Sequence, residues 1–137
     1  MRETYSYKCD KLAISQMWAN KAEHGNWHHP HLHPFSIISA IFYITDSPAI
    51  TWFSIDNFWI ANYKNLPLPL AEDFQGNPYI VHKEPSVKGK LLLFPSHLLH
   101  GVSEHKGDSP RYTISFNTFP AGLVGNCKKL ASVVIPN

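Results

Sequence analysis

Five of the nine histidines fall between positions 24 and 33, in His24-Gly25-Asn26-Trp27-His28-His29-Pro30-His31-Leu32-His33. Histidine is the commonest metal ligand, so this density first suggests a metal centre. On an extended segment residues i and i+2 point to the same side, so His31 and His33 can offer ring nitrogens to one point in space. His29 and His31 have the same spacing, and spacing alone leaves both pairs open. Two ligands hold an ion loosely, so a third is expected from a distant strand. The run Leu91-Leu92-Leu93-Phe94-Pro95-Ser96-His97-Leu98-Leu99-His100 supplies His100, with His97 as its competitor. His24, His82 and His105 stand alone and are read as surface residues. The plainer reading of the whole cluster is a solvated, histidine-rich loop.

A second chemical group lies eleven positions after His100. In Arg111-Tyr112-Thr113-Ile114-Ser115-Phe116-Asn117 the polar and apolar residues alternate strictly, as on a strand with two unlike faces. Facing water, the polar stripe is ordinary surface. Facing inward, Arg111 presents a planar fork suited to gripping a carboxylate at two points, and the Thr113 hydroxyl adds a donor. A metal beside a carboxylate clamp defines a site for a keto acid.

These groups need a scaffold of short strands. Eleven prolines and seven glycines are spread over 137 residues. Between them lie strand-like runs rich in β-branched and aromatic residues: 36–45, 50–60, 79–82, 90–94 and 111–119. Apart from short helices at Lys11 to Asn20 or Cys127 to Val134, no stretch has helical spacing of apolar residues. The expected fold is all-β, a double-stranded β-helix or cupin-like jelly roll with few short helices, forming a single domain over residues 1–137. Such a fold holds ligands in its mouth. Residues 62–77, with Pro67, Pro69 and Gly76, read as a long loop or lid.

Composition narrows the partners. The chain is 44% hydrophobic and 16% charged, which suits a globular protein that buries roughly two-thirds of its unfolded surface. Twelve basic against ten acidic residues, without clustering beyond Lys128-Lys129, leave no footprint for nucleic acid. No apolar run approaches the roughly 18 residues of a membrane span, and the first residues lack a leader pattern. Cys9 and Cys127 form no C-x-x-C. A cytoplasmic location is expected, the host cytoplasm if the chain is phage-encoded. A partner or a homodimer is a candidate for completing the pocket, with Trp52-Phe53 and Phe58-Trp59 as contact residues or, more ordinarily, strand core.

Four motifs together resemble the Fe(II)- and 2-oxoglutarate-dependent oxygenase superfamily, in its small branch from phages and bacteria. They are W-x-N at Trp18-Ala19-Asn20, H-x-H-P-x-S-x-x-S from His31 to Ser39 followed by Phe42-Tyr43, G-x-L-x-L-F-P-S-x-L-x-H from Gly89 to His100, and R-Y-T-I-S-F-N from Arg111 to Asn117. The resemblance covers nearly the whole chain. It implies that His31 and His100 are metal ligands and that Arg111 anchors the far carboxylate of 2-oxoglutarate. Thr113, Ser39, Tyr43 and Asn117 join Arg111 in cofactor binding, and Fe(II), 2-oxoglutarate and O₂ serve hydroxylation of an unknown substrate. The chain departs from the pattern at His33, where the superfamily usually has Asp or Glu. His33 is then the second ligand, ahead of Asp46 and Asp56, which lack its spacing to His31. Two other functions fit the same residues. One is a cupin-like three-histidine dioxygenase that does not use 2-oxoglutarate, and the other is a non-catalytic jelly-roll binding module.

Overall fold

A computed structural model describes residues 9–54, 80–126 and 131–135. Among them are nine strands and no helix: β1 (Cys9–Ala22), β2 (His28–His31), β3 (Ile38–Tyr43), β4 (Ser47–Ser54), β5 (Ile80–Ser86), β6 (Leu91–Pro95), β7 (Leu99–Val102), β8 (Arg111–Asn126) and β9 (Ala131–Ile135). They form two antiparallel sheets. One runs β1-β8-β3-β6, with β9 also pairing with β8, and the other runs β2-β7-β4-β5. This is the all-β, two-sheet arrangement of a jelly roll.

The short helix expected at Lys11 to Asn20 is instead the middle of β1, which pairs with β8 along nearly its whole length. Two register shifts, between Cys9 and Lys11 and between Ile14 and Gln16, interrupt the two-residue alternation. Each bulge moves the following side chains to the other face, which hides a strand from a periodicity argument. At Cys127 to Val134, residues 131–134 belong to β9 rather than a helix. The proposed lid at 62–77, Asp56 and the Phe58-Trp59 pair lie outside the described residues.

The sheets are joined by an apolar core of Ile41, Tyr43, Phe53 and Phe94, against which Leu92 and Leu98 pack. Phe53 from one sheet meets Phe94 from the other edge to face, with ring centroids 5.0 Å apart. Tyr43 Oη and Thr51 Oγ1 also bridge the sheets at 2.9 Å. Phe53 is thus core, while Trp52 points the other way and covers Gly101. A Cβ at Gly101 would meet the Trp52 ring at 2.5 Å, so only glycine lets β7 run this close beneath the indole.

Between β2 and β3 the chain leaves one sheet for the other through His33-Pro34-Phe35. Phe35 adopts φ of 54°, a left-handed conformation unusual outside glycine, with its side chain 89% exposed. Two backbone hydrogen bonds brace the crossing: His33 N–H donates to Ser96 O at 3.1 Å, and Ile37 N–H donates to Thr118 O at 2.9 Å.

Candidate metal centre

His31 ends β2 and lies opposite His100 in the β2–β7 register, while His33 enters from the crossing. One ring nitrogen from each of the three lies within 4.8 Å of the others. The ring centroids of His31 and His33 are 4.9 Å apart, those of His31 and His100 4.2 Å, and those of His33 and His100 5.0 Å. His100 is 2% exposed, and its ring packs on Phe94 and Phe53 of the core. One of the three ligand candidates is therefore anchored in the core between the sheets. His97 is exposed and stands outside the cluster, as do His28 and His29. Asp46 accepts the Lys88 backbone N–H at 2.9 Å and is also outside it.

Hydrogen bonds decide which nitrogen is free. His31 Nδ1 lies 2.8 Å from the His29 carbonyl, and His100 Nδ1 lies 2.9 Å from the Leu98 carbonyl. A carbonyl only accepts, so both Nδ1 atoms carry the proton and both Nε2 lone pairs are left for an ion.

The cluster opens into a cavity of about 380 Å³, whose wall also holds Arg111, Thr113, Ser115, Trp18 and Trp27. The polar stripe of β8 faces inward: Arg111, Thr113, Ser115 and Asn117 are 5%, 2%, 8% and 3% exposed. Arg111 Nε donates to Ser86 Oγ at 3.1 Å, and its guanidinium carbon lies 5.6 Å from the centre of the Tyr43 ring. No carboxylate pairs with it among the described residues. A buried guanidinium without an acid is costly unless an anion is meant to occupy its open side. Asn20 Nδ2 donates to Thr113 Oγ1 at 3.3 Å and Ser115 Oγ at 3.2 Å. Ser39, Tyr43 and Asn117 do not line the cavity; Tyr43 supports Arg111 from behind, and Ser39 and Asn117 bond to each other near His33.

Residues 16–117 match the family model described as Putative 2OG-Fe(II) oxygenase. The chain belongs to this family. No curated protein matches it. For an oxygenase of this family the donor set fits Fe(II): imidazole nitrogens suit the ion, and three ligands on one side leave positions open. The family's 2-oxoglutarate likewise fits a cavity that holds a cationic fork and, among the described residues, no acidic wall residue.

The sequence reading missed three supports. Ser86 orients Arg111, and Asn20 orients Thr113 from the strand mistaken for a helix. His105, read as surface, is 1% exposed, with Nδ1 2.9 Å from Ser47 Oγ and Nε2 2.8 Å from Ser109 O. Its backbone also bonds to Asn26 and Gly25, tying the 103–110 loop to the cavity rim. A single histidine in a polar loop carries no periodicity, so no signal in the sequence announced it.

Burial lowers His33 and His100 to about 4, helped by the neighbouring histidines, and lowers His28 from its ordinary value. The unfolded chain, with histidines near 6.5, then binds more protons than the native one between about pH 6.5 and 4. Stability is full above that window and is lost as pH falls through it. Thermal melts of chelator-treated protein should show Tm falling by several degrees from about pH 7.5 to about pH 5. A flat profile would show that the histidines are not buried as a neutral cluster.

Proposed function

We propose that the protein is an Fe(II)- and 2-oxoglutarate-dependent oxygenase in which His31, His33 and His100 hold the metal and Arg111 binds the far carboxylate of the keto acid. The observation that supports this most is the presence, in one cavity, of three convergent histidines and a buried arginine that has no acidic partner among the described residues. When bound, iron and 2-oxoglutarate supply the oxidative chemistry: with O₂, the keto acid yields succinate and CO₂, and a substrate C–H bond becomes C–OH.

The chain's own residues bind, orient and shield. Three neutral imidazoles leave the ion its full charge, which favours a dianionic ligand more than a set with one carboxylate would. Arg111, held by Ser86 and stacked near Tyr43, is fixed in rotamer before its ligand arrives, so little side-chain freedom is lost on binding. Thr113 offers its hydroxyl beside that fork, and Asn20 sets its direction. Trp18 and Trp27 give the cavity wall aromatic surface against which a substrate can pack.

Replacement of the usual carboxylate by His33 favours one alternative, a three-histidine dioxygenase in which Arg111 holds the substrate's own carboxylate. Anaerobic loading with Fe(II) followed by 2-oxoglutarate and air separates the two. Release of succinate, even without a primary substrate, is the expected result. Tight iron binding without any 2-oxoglutarate binding or turnover would favour the alternative.

A further inference from the structure

His33 differs from its two companions in what its second ring nitrogen faces. His31 and His100 each give Nδ1–H to a backbone carbonyl, whereas His33 Nδ1 faces the side-chain amide of Asn117, with Nδ2 at 3.5 Å. An amide, unlike a carbonyl, has two orientations of the same shape, in which nitrogen and oxygen exchange places.

The neighbours of that amide are nearly all able to donate or accept. Asn117 Oδ1 takes the Ser39 hydroxyl at 2.7 Å, and Ser39 Oγ lies 2.8 Å from Ser96 Oγ. Ser96 Oγ lies 2.6 Å from Ser36 Oγ, which reaches the carbonyls of Thr118 at 3.2 Å and Ile38 at 3.3 Å. Asn117 Nδ2 donates to Gln16 Oε1 at 3.1 Å, and Gln16 is exposed and free to turn. The three serine hydroxyls carry one proton each. With Asn117 Oδ1 toward Ser39, those protons run outward through the serines to the amide and none remains for the carbonyls at the far end. With the amide turned by half a revolution, Nδ2–H donates to Ser39, Ser39 to Ser96, Ser96 to Ser36 and Ser36 to a carbonyl, so every link has its proton. Oδ1 then faces His33.

We infer that Asn117 is a positioning residue of the metal centre, which turns its carbonyl oxygen to accept from His33 Nδ1–H and so holds His33 with Nε2 free for the ion. All three histidines then share one arrangement, Nδ1–H on an oxygen and Nε2 toward the metal, and the serine chain behind Asn117 fixes that choice. This inference rests on the metal reading proposed above.

Zinc, being diamagnetic, is the probe. Zinc affinity is measured by competition with a chromophoric chelator, and the protonation of His33 is read from two-bond ¹⁵N–¹H correlations of the zinc-loaded protein, assigned with a His33 variant. The expected parent result is one zinc and a protonated Nδ1 on His33. Asn117→Leu keeps the volume but neither donates nor accepts, and it should weaken zinc by about 10–100-fold. Asn117→Asp, which only accepts, should restore parental affinity or exceed it; a merely structural asparagine would be damaged by both changes alike. If Asn117→Leu does not fold, Ser39→Ala removes the acceptor for Nδ2–H and should weaken zinc several-fold, with both tautomers of His33 visible. Parental zinc affinity in Asn117→Leu or Ser39→Ala, or an unprotonated His33 Nδ1 in the zinc-loaded parent, overturns the inference and leaves the metal centre standing. A parent protein that binds no zinc overturns both.

Discussion

His100→Ala should abolish stoichiometric metal binding. The remaining pair, His31 and His33, lies only two residues apart, and an ion on two imidazoles keeps too few protein bonds to compete with water and buffer. The loss should exceed the roughly 10–100-fold expected when a residue supporting a ligand is removed. Because His100 packs on Phe94 and Phe53, the alanine also leaves a void in the core. His100→Gln, which fills most of that void, separates the two effects: both variants should lose the ion, but only alanine should lower the Tm of the metal-free protein markedly. His97→Ala, at an exposed site three residues earlier, should bind one equivalent as the parent does. Equilibrium dialysis with metal analysis decides the matter, and one retained equivalent in both His100 variants would remove His100 from the centre.

Arg111→Lys should lower 2-oxoglutarate affinity at least about tenfold, or about 1.4 kcal/mol, while metal affinity stays unchanged. Lysine keeps the positive charge but loses the planar fork. It also loses the Nε–H that Ser86 fixes, so the ammonium is not held in one direction. Arg111→Ala should lose more, since no other cation projects from the inward face of β8. The measurement is a calorimetric titration of 2-oxoglutarate into the zinc-loaded protein, with metal content checked in each variant. If lysine and alanine both bind the keto acid as arginine does, the clamp lies elsewhere. Lys88 or Lys90 would be the next candidates, but neither lines the cavity and Lys90 is engaged in an ion pair with Glu84.

How far the site was legible in the sequence depended on whether a local pattern carried it. The alternation through Arg111-Tyr112-Thr113-Ile114-Ser115 marked β8 clearly, yet could not say which face was inside. The answer needed the partner strand β1 and the cavity it helps enclose. The middle of β3 was legible because strands on both sides bury it, and β6, although it borders its sheet, was legible from its leucine run ending at the buried Phe94. β2 was not legible, because His28-His29-Pro30-His31 has none of the usual strand formers. It is a strand because it borders a sheet, where a missing proline N–H costs no ladder bond. β7 is equally short and contains Gly101, whose need for a bare Cα arises from Trp52, about fifty positions away in the chain. The metal ligands were legible as spacing, while their supports Ser86, Asn20 and His105 exist only as tertiary contacts.

The crossing at Phe35 shapes how the molecule opens as well as where His33 points. β2 is four residues long, pairs with β7 at only two registered positions and has no second neighbour among the described residues. Elements with so few ladder bonds open locally at a free energy well below that of global unfolding. The crossing that follows is held in a left-handed bend, which adds local strain rather than stiffness. An ion bridging His31 and His33 to His100 would cross-link this loose segment to β7, whose neighbour β4 lies inside its sheet. Amide exchange in β2 would then be governed by metal occupancy, so that the segment opens and recloses as the ion leaves and returns while the remaining strands of both sheets stay folded.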